Sequence, residues 1–377
     1  MTKKLKVLTV LGTRPEAVKM APLIRELQMR DEIECIVCAT AQHRQMLDQV
    51  LNLFGIHPDH DLNLMEPNQS LAKMTSRIVD QLDPVISDIA PDWILAQGDT
   101  TTVMATSILA YYHKIKFGHV EAGLRTGDNY APFPEEVNRR IASVISYAHF
   151  APTENAKNNL LAENIKPESI IVTGNTVIDA LQSVSQMACP QQIEDLLKQH
   201  AGKRFILITA HRRENFGKPL EQIFEALNLL AKKYSGEIQI MYPVHLNPHV
   251  QEPAKQLLGN NPNITLLPPL DYLPMVHLMR ASHIILTDSG GLQEEAPGLG
   301  KPVLVLRDVT ERPEGVTSGT VRIAGTKTAK IIEMVSKLLD DPSDYLQMAQ
   351  AQNPYGDGNA SRRIVDFILN DAKTTLS

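Results

Sequence analysis

Short β-branched runs alternate with longer amphipathic stretches along nearly the whole chain, and this alternation constrains the fold more than any other feature. "KVLTVLG", "IECIVCAT", "WILAQG", "KFGHVEAG", "YAHFAP" and "SIIVTGN" read as strands. A second series follows: "RFILIT", "IQIMYPV", "NITLLPP", "HIILTD" and "PVLVLRD". Helical patterns lie between them, among them 15–30, 42–54, 70–90 and 100–113. Strand and helix in repeated alternation mean parallel sheets joined by right-handed crossovers. Near residues 180–203 the pattern lapses into the polar "QSVSQMACPQQIEDLLKQHAGK", which reads as a hinge. The expectation is two doubly wound α/β domains in sequence, with a ligand cleft between them.

In such sheets ligands bind beyond the carboxyl ends of the strands, and the residues found there are unusual. "VLG" is followed by Thr13, Arg14, Pro15 and Glu16, with Lys19 one turn into the helix. "LAQG" leads to Asp99 and three threonines, "GHV" to Glu121, Gly123 and Arg125, and "LIT" to His211, Arg212 and Arg213. "LTD" is followed by Ser289, Gly290 and Gly291, then two glutamates; "VLR" leads to Asp308, Glu311 and Arg312. One charged strand end merely solvates a rim, but six of them, drawn from both series, mark a site. Small residues at a strand-to-helix turn let backbone approach a ligand, and the amides and dipole of the helix behind it favour an anion such as phosphate.

The net charge of −6 excludes a domain-wide basic field, and with it a nucleic-acid partner. Local clusters must therefore hold any anion. No stretch approaches 18 uninterrupted apolar residues, and "MTKKLKVLTVLGTRPEA" runs directly into a strand pattern without a cleavable apolar segment. A soluble cytoplasmic protein without a membrane partner is expected. Cys35 and Cys38 form a C-x-x-C, but an offset of three along a strand points side chains to opposite faces, so they cannot grip one metal. His57 and His60 lack further ligands nearby. No metal site is expected.

"GTRPEAVK" is not a dinucleotide fingerprint, since its second and third glycines are missing, and no phosphate-binding G-x-x-x-x-G-K-[ST] occurs. Tyr112 and Lys116 make a coincidental Y-x-x-x-K in a helix tail. No nicotinamide or other cofactor is expected.

At this point the residues match a family. "GTRPEAVKMAPL", "TAQHRQML", "QGDTTT", "GHVEAGLRTGD", "PFPEEVNRR", "TGNTVIDAL", "TAHRREN", "PVHLNP", "LTDSGGLQEEAPGLGKPVLVLRDVTERPEG" and "NPYGDGNAS" occur in collinear order from about residue 5 to residue 365. In these the chain resembles the non-hydrolysing UDP-N-acetylglucosamine 2-epimerases of bacteria. The resemblance implies the glycosyltransferase type B architecture: an N-terminal Rossmann-like domain of residues 1–178, rejoined by a returning helix at 361–377, and a UDP-binding domain of residues 179–360. It implies a UDP-sugar as substrate, a homodimer, and a product that supplies N-acetylmannosamine for cell-surface polysaccharide. It also implies that Ser289, Gly290 and Gly291 hold the diphosphate and that Glu295 binds ribose hydroxyls. Met275, His211 and Arg312 serve the nucleotide, and Arg14 and Lys19 grip the diphosphate from the other domain.

Inverting C2 of an N-acetylhexosamine takes a proton from one face and returns it to the other, yet that C–H is not beside a carbonyl. If UDP leaves C1 first, oxocarbenium character acidifies C2–H and an alkene can form. This demands a clamp on the leaving group and carboxylates flanking the sugar. Asp99, Glu121 and Glu135 match the family's catalytic carboxylates, with His211 beside them; the residues do not say which is acid and which is base. Some members bind a second UDP-N-acetylglucosamine as activator, and the matching positions are Gln42, Gln45, Gln69, Arg212 and His245, with Asn68 where such members can have an arginine. Three other readings would use the same residues: a type B glycosyltransferase, a hydrolysing 2-epimerase, or a non-catalytic UDP-sugar sensor, against which the three carboxylates argue.

Overall fold

The computed structural model describes residues 4–40, 44–64, 66 and 69–376. The chain divides into two compact units, Met1–Ala180 with Tyr355–Ser377, and Leu181–Pro354. The first holds β1 (Leu5–Leu11), β2 (Ile33–Ala39), β3 (His60–Asp61), β4 (Trp93–Gln97), β5 (Lys116–Val120), β6 (Ala148–Ala151) and β7 (Ile170–Val172). They form one sheet in the order β3-β2-β1-β4-β5-β6-β7, parallel throughout. The second holds β8 (Arg204–Thr209), β9 (Ile238–Pro243), β10 (Ile264–Leu267), β11 (Ser282–Thr287), β12 (Val303–Val305) and β13 (Val321–Ile323). Their order, β10-β9-β8-β11-β12-β13, is again parallel throughout. Both sheets thus contain the 3-2-1-4-5-6 order of a doubly wound fold, whose strand order reverses beside the first strand of each.

Helices on both faces explain why the strands read as continuous apolar runs rather than alternating ones: every residue of β4, β6 and β9 is buried. The helical patterns appear as Arg14–Gln28, Arg44–Phe54, Leu71–Ile89 and Thr101–Tyr112. Thr13, Ser70 and Thr100 cap three of them through their hydroxyls. The two cores are separate clusters, one around Leu8, Leu82, Ile94, Leu109 and Phe117, the other around Ile208, Phe224, Leu227, Tyr242 and Leu286. Truncating Phe224 or Leu82 to alanine would cost about 2–5 kcal/mol by the cavity left behind.

Strands β3 and β13 were not among the sequence candidates. At two and three residues, neither is long enough to show a period, and each exists because an edge was there to pair with. The polar stretch expected to be a hinge is mostly helical, since it contains the end of helix Thr176–Ser185 and all of Gln191–Gln199. The division between units falls inside the former helix.

The last helix, Ala360–Leu376, packs on the first unit. The Asp179 carboxylate accepts from the amides of Ala360 (3.2 Å) and Ser361 (2.8 Å), capping it from another helix. Phe367 meets Trp93 and Phe150 edge-on at 6.3 and 5.7 Å. Residues 355–360 also group with this unit, because the Tyr355 carbonyl accepts from the Asn175 amide at 2.7 Å. Cys35 and Cys38 both lie on β2, and burial pushes each thiol up to about 12, far from a reactive thiolate. Tyr112 is exposed at a helix end. Lys116 pairs with Asp371 at 2.6 Å and lies 4.7 Å from the Tyr147 ring centroid. The Y-x-x-x-K spacing thus joins a surface side chain to a packing one. His60 pairs beside Cys38 on β3. Among the described residues no helix is long and apolar enough to cross a membrane.

Candidate active site

The loops after β1, β4 and β5 gather the first unit's functional side chains at the point where strand order reverses. Gln97 and Val120 are partners in the β4–β5 ladder, so Asp99 and Glu121 leave adjacent strand ends. Helix Glu135–Ile145 closes the group. Its Asn138 donates to the Asp99 carbonyl at 2.9 Å, and Arg139 donates twice to Asp99 Oδ2, at 2.9 and 2.6 Å. Arg139 is itself held by Glu136, 3.0 Å away and fully buried. Although burial opposes it, the amides of Thr126 and Gly127 and the Arg139 guanidinium hold the Glu136 carboxyl below its usual range.

Glu121 adopts a left-handed backbone, φ +63°, which a non-glycine residue takes at a cost of roughly 1–2 kcal/mol. Two residues on, Gly123 passes so close to helix Glu154–Ala162 that a Cβ would lie 2.2 Å from the Ala156 carbonyl. That crowding fixes the turn. Glu121 Oε2 accepts from Lys19 Nζ at 2.5 Å and from Asn175 Nδ2 at 2.8 Å. Glu135 stands at the first helical position, where the dipole favours an acid. Its Oε2 is buried and receives no hydrogen bond from a described residue. Buried polar atoms are nearly always paired, so this oxygen makes Glu135 a candidate site residue.

Beneath these lies Glu16. The buried carboxylate accepts from the amides of Gly12 (3.0 Å) and Thr13 (2.6 Å) and from the Thr100 hydroxyl (2.7 Å), tying the β1 loop to the β4 loop. Burial raises its pKa against those donors. His119, fully buried on β5, bonds the Gly98 carbonyl at 2.7 Å, and burial lowers it to about 3, so it stays neutral. Arg14 is half-buried, and its guanidinium bonds no described residue. Arg125 is structural: it chelates Glu163 with two bonds of 2.8 Å.

In the second unit, Asp288 is fully buried after β11. Its Oδ2 accepts from the amides of His211 and Arg212, at 2.7 and 2.8 Å, and from Asn215 at 3.1 Å. His211 Nδ1 lies 3.4 Å from Asp288 Oδ1, and its ring stacks on His245 at 5.4 Å. Burial holds the His211 imidazole below the usual histidine range; Asp288 opposes this and His245 adds to it. Ser289 precedes helix Gly290–Glu295 without a side-chain cap, leaving the amides of Gly290 and Gly291 open. A Cβ on Gly290 would lie 3.8 Å from Arg312 Nη2, so the guanidinium overlooks the turn. Of the two glutamates behind it, Glu294 pairs with Arg312, and Glu295 accepts from the Tyr272 hydroxyl at 2.9 Å while its Oε1 lies 3.5 Å from where a Cβ on Gly291 would stand. Met275 is half-buried on helix Tyr272–Ala281, which also carries Tyr272.

Of the expected activator positions, Gln42 and Asn68 lie outside the described residues, as does the side chain of Gln45. Gln69 Nε2 reaches the Leu64 carbonyl at 3.5 Å, and its buried Oε1 has no partner among the described residues. His245 is exposed. The sequence showed Glu16 after its strand without a role and did not single out His119, Glu136, Arg139, Asn175 or Asp288, all of which orient the residues above. Every one of them stands inside a motif already quoted, yet only their partners reveal what they do.

Residues 25–369 match a family model described as UDP-N-acetylglucosamine 2-epimerase. A UDP-N-acetylglucosamine 2-epimerase of Bacillus subtilis is 54% identical over 367 residues, covering 97% of this chain and 96% of that one. One from Escherichia coli K12 is 52% identical over 373 residues, covering 97% and 99%. The crystal structure of a UDP-GlcNAc 2-epimerase from Neisseria meningitidis bound to UDP-GlcNAc superposes with a TM-score of 0.87 at 54% identity, covering 97% of this chain and all of that one.

Proposed function

The chain belongs to the UDP-N-acetylglucosamine 2-epimerase family, and from that premise we propose how it inverts C2: UDP leaves C1 and is then added back. As the C1–O bond breaks, its electron pair departs with UDP. A carboxylate of the first unit takes the C2 proton, and the C2–H electrons form the C1=C2 bond of a glycal. A proton returned to the opposite face of C2 and attack of UDP on C1 give UDP-N-acetylmannosamine, so no atom is lost. Ser289, Gly290 and Gly291 with Arg312 hold the departing diphosphate, joined by Arg14 and Lys19, and they supply the charge stabilisation that an anionic leaving group needs. Glu295, His211 and Met275 serve the rest of the nucleotide. Asp99, Glu121 and Glu135 exchange the protons.

One observation carries this reading. The three carboxylates belong to two adjacent strand-end loops and to the helix whose Asn138 and Arg139 bond one of them, and they are held in three ways: Asp99 by a guanidinium, Glu121 by an ammonium and an amide, and Glu135 with a buried oxygen bonded to nothing described. Unlike environments are how a site makes one carboxyl an acid and another a base. In deuterated water the recovered sugar should carry deuterium at C2. Epimerisation with the C2 hydrogen wholly retained would sink the mechanism.

Three further parts of the proposal concern setting. The enzyme works in the cytoplasm and supplies N-acetylmannosamine units for surface polysaccharide. It acts as a homodimer, supported by the largely exposed Tyr111, Tyr112 and Val144 on the helices Thr101–Tyr112 and Glu135–Ile145; Val144→Glu should yield monomers by sedimentation. A second UDP-sugar acts as activator at Arg212, whose guanidinium bonds no described residue, and at His245. Michaelian rather than sigmoidal velocity curves would count against it.

A further inference from the structure

Asn175 follows β7 and precedes helix Thr176–Ser185, with 3% of its surface exposed. Three contacts fix it. Its Oδ1 accepts from the Val177 amide at 3.0 Å, its own amide donates to the Tyr355 carbonyl at 2.7 Å, and its Nδ2 donates to Glu121 Oε2 at 2.8 Å. A backbone amide only donates, so the side-chain atom facing Val177 is the oxygen. The NH2 group must then point at Glu121. The donor role toward that carboxylate follows from the helix cap, and does not depend on how the amide was oriented.

Glu121 needs such a partner. Its left-handed backbone sends the side chain off in an uncommon direction. Oε2 takes both donors, and Oε1 accepts from no described residue. Lys19 ends in a compact ammonium on a flexible stem, which can follow the carboxylate wherever it turns. Asn175 ends in a planar amide anchored at both its oxygen and its backbone, and cannot follow. Lys19 contributes charge, whereas Asn175 contributes direction.

We propose that Asn175 is a positioning residue for the reaction: by bonding Oε2 it fixes the Glu121 carboxylate so that Oε1 is the oxygen turned to the C2 proton. This rests on the role proposed above for Glu121. Two substitutions test it, because serine and aspartate both keep an oxygen to cap the helix while losing the Nδ2 donor that reaches Glu121. Asn175→Ser should lower kcat roughly 10–100-fold, the scale of a small misplacement of a reacting group. Asn175→Asp, which sets an acceptor against an acceptor, should lower it further. KM and UDP affinity by calorimetry should stay at wild-type values in both, and the melting temperature should stay there in Asn175→Ser, which a purely structural role would not allow. Should one variant not fold, the other carries the test. A kcat within about twofold of wild type in a folded variant, or a loss that tracks the melting temperature, overturns the proposal. Glu121→Gln separates the two ideas: if it turns over normally, the role of Glu121 fails, whereas an inactive Glu121→Gln beside fully active Asn175 variants removes only the positioning role.

Discussion

At the first sheet's switch point, between β1 and β4, a buried glutamate comes from the helix after the first of the two strands; at the second's, between β8 and β11, a buried aspartate comes from the loop after the second. Glu16 consumes the amides of Gly12 and Thr13 in the β1 turn and then reaches Thr100. Asp288 consumes the amides of His211 and Arg212 in the β8 loop. In the first unit, the glutamate takes the Gly12 and Thr13 amides at the helix end where a phosphate would otherwise find them. In the second unit the amides left open are those of Gly290 and Gly291 after β11. Topology is shared, yet one unit collects carboxylates and the other leaves backbone amides open at a helix start. The choice of loop that donates the internal acid separates the two chemistries, an instance of function residing in the site rather than the fold.

The division predicts that chemistry and nucleotide binding can be damaged separately. Asp99→Asn, Glu121→Gln and Glu135→Gln should each cut turnover by roughly 10²–10⁴-fold, the scale of lost acid–base catalysis. UDP affinity by calorimetry should hardly change. Near-normal turnover in both Asp99→Asn and Glu121→Gln would break the comparison outright.

Arg312→Ala should weaken UDP binding by about 1.5–3 kcal/mol, the worth of a charge-assisted contact. It should also lower stability by about 1–3 kcal/mol, because Glu294 is buried against that guanidinium. Arg14→Ala removes a cation that bonds no described residue, so it should reduce UDP affinity while leaving the urea midpoint in place. Equal stability losses in the two variants would erase the contrast.

Glu16 gives the comparison a pH signature. Burial raises its carboxyl above the ordinary 4.5, so the folded chain binds this proton more tightly than the unfolded chain does. The stabilisation is full below pH 4.5 and is lost as pH rises through the folded value. The stability difference between wild type and Glu16→Gln should therefore fall with rising pH, by at most about 1.4 kcal/mol per pH unit. Urea titrations from about pH 4 to about pH 8 would read it; a flat difference would mean the Glu16 proton is not linked to folding.

The smallest effect is expected at Gly290. Its backbone is not left-handed, and among the described residues a Cβ would meet only the Arg312 guanidinium, with Nη2 at 3.8 Å and Cζ at 3.9 Å. Gly290→Ala should gain up to about 1 kcal/mol of stability while losing UDP affinity by roughly tenfold, about 1.4 kcal/mol, because the methyl group stands before the open amides. Unchanged affinity would take the phosphates off this turn.

Much of this protein was legible in the chain itself. Apolar runs and amphipathic spacing depend on local chemistry, so the alternation of "WILAQG" or "HIILTD" with helices announced parallel sheets. The residues after each strand carried their charges in plain view, and Asp99, Glu121, Ser289 and Arg312 could be named at once. The tertiary structure decided which of those charges meet. Arg125 stands at a strand end like Arg14, but it chelates Glu163, 38 residues away. Glu16 shares its turn with Arg14 and looks no less functional, yet it faces inward and binds its own backbone. Glu121 and Asn175 are 54 residues apart, joined only because β5 and β7 end on the same side of one sheet. A side chain's type and its place after a strand are properties of the sequence. Its partner is not, because folding brings remote strand ends within hydrogen-bonding distance, and that proximity decides whether a charge supports the fold or serves the reaction.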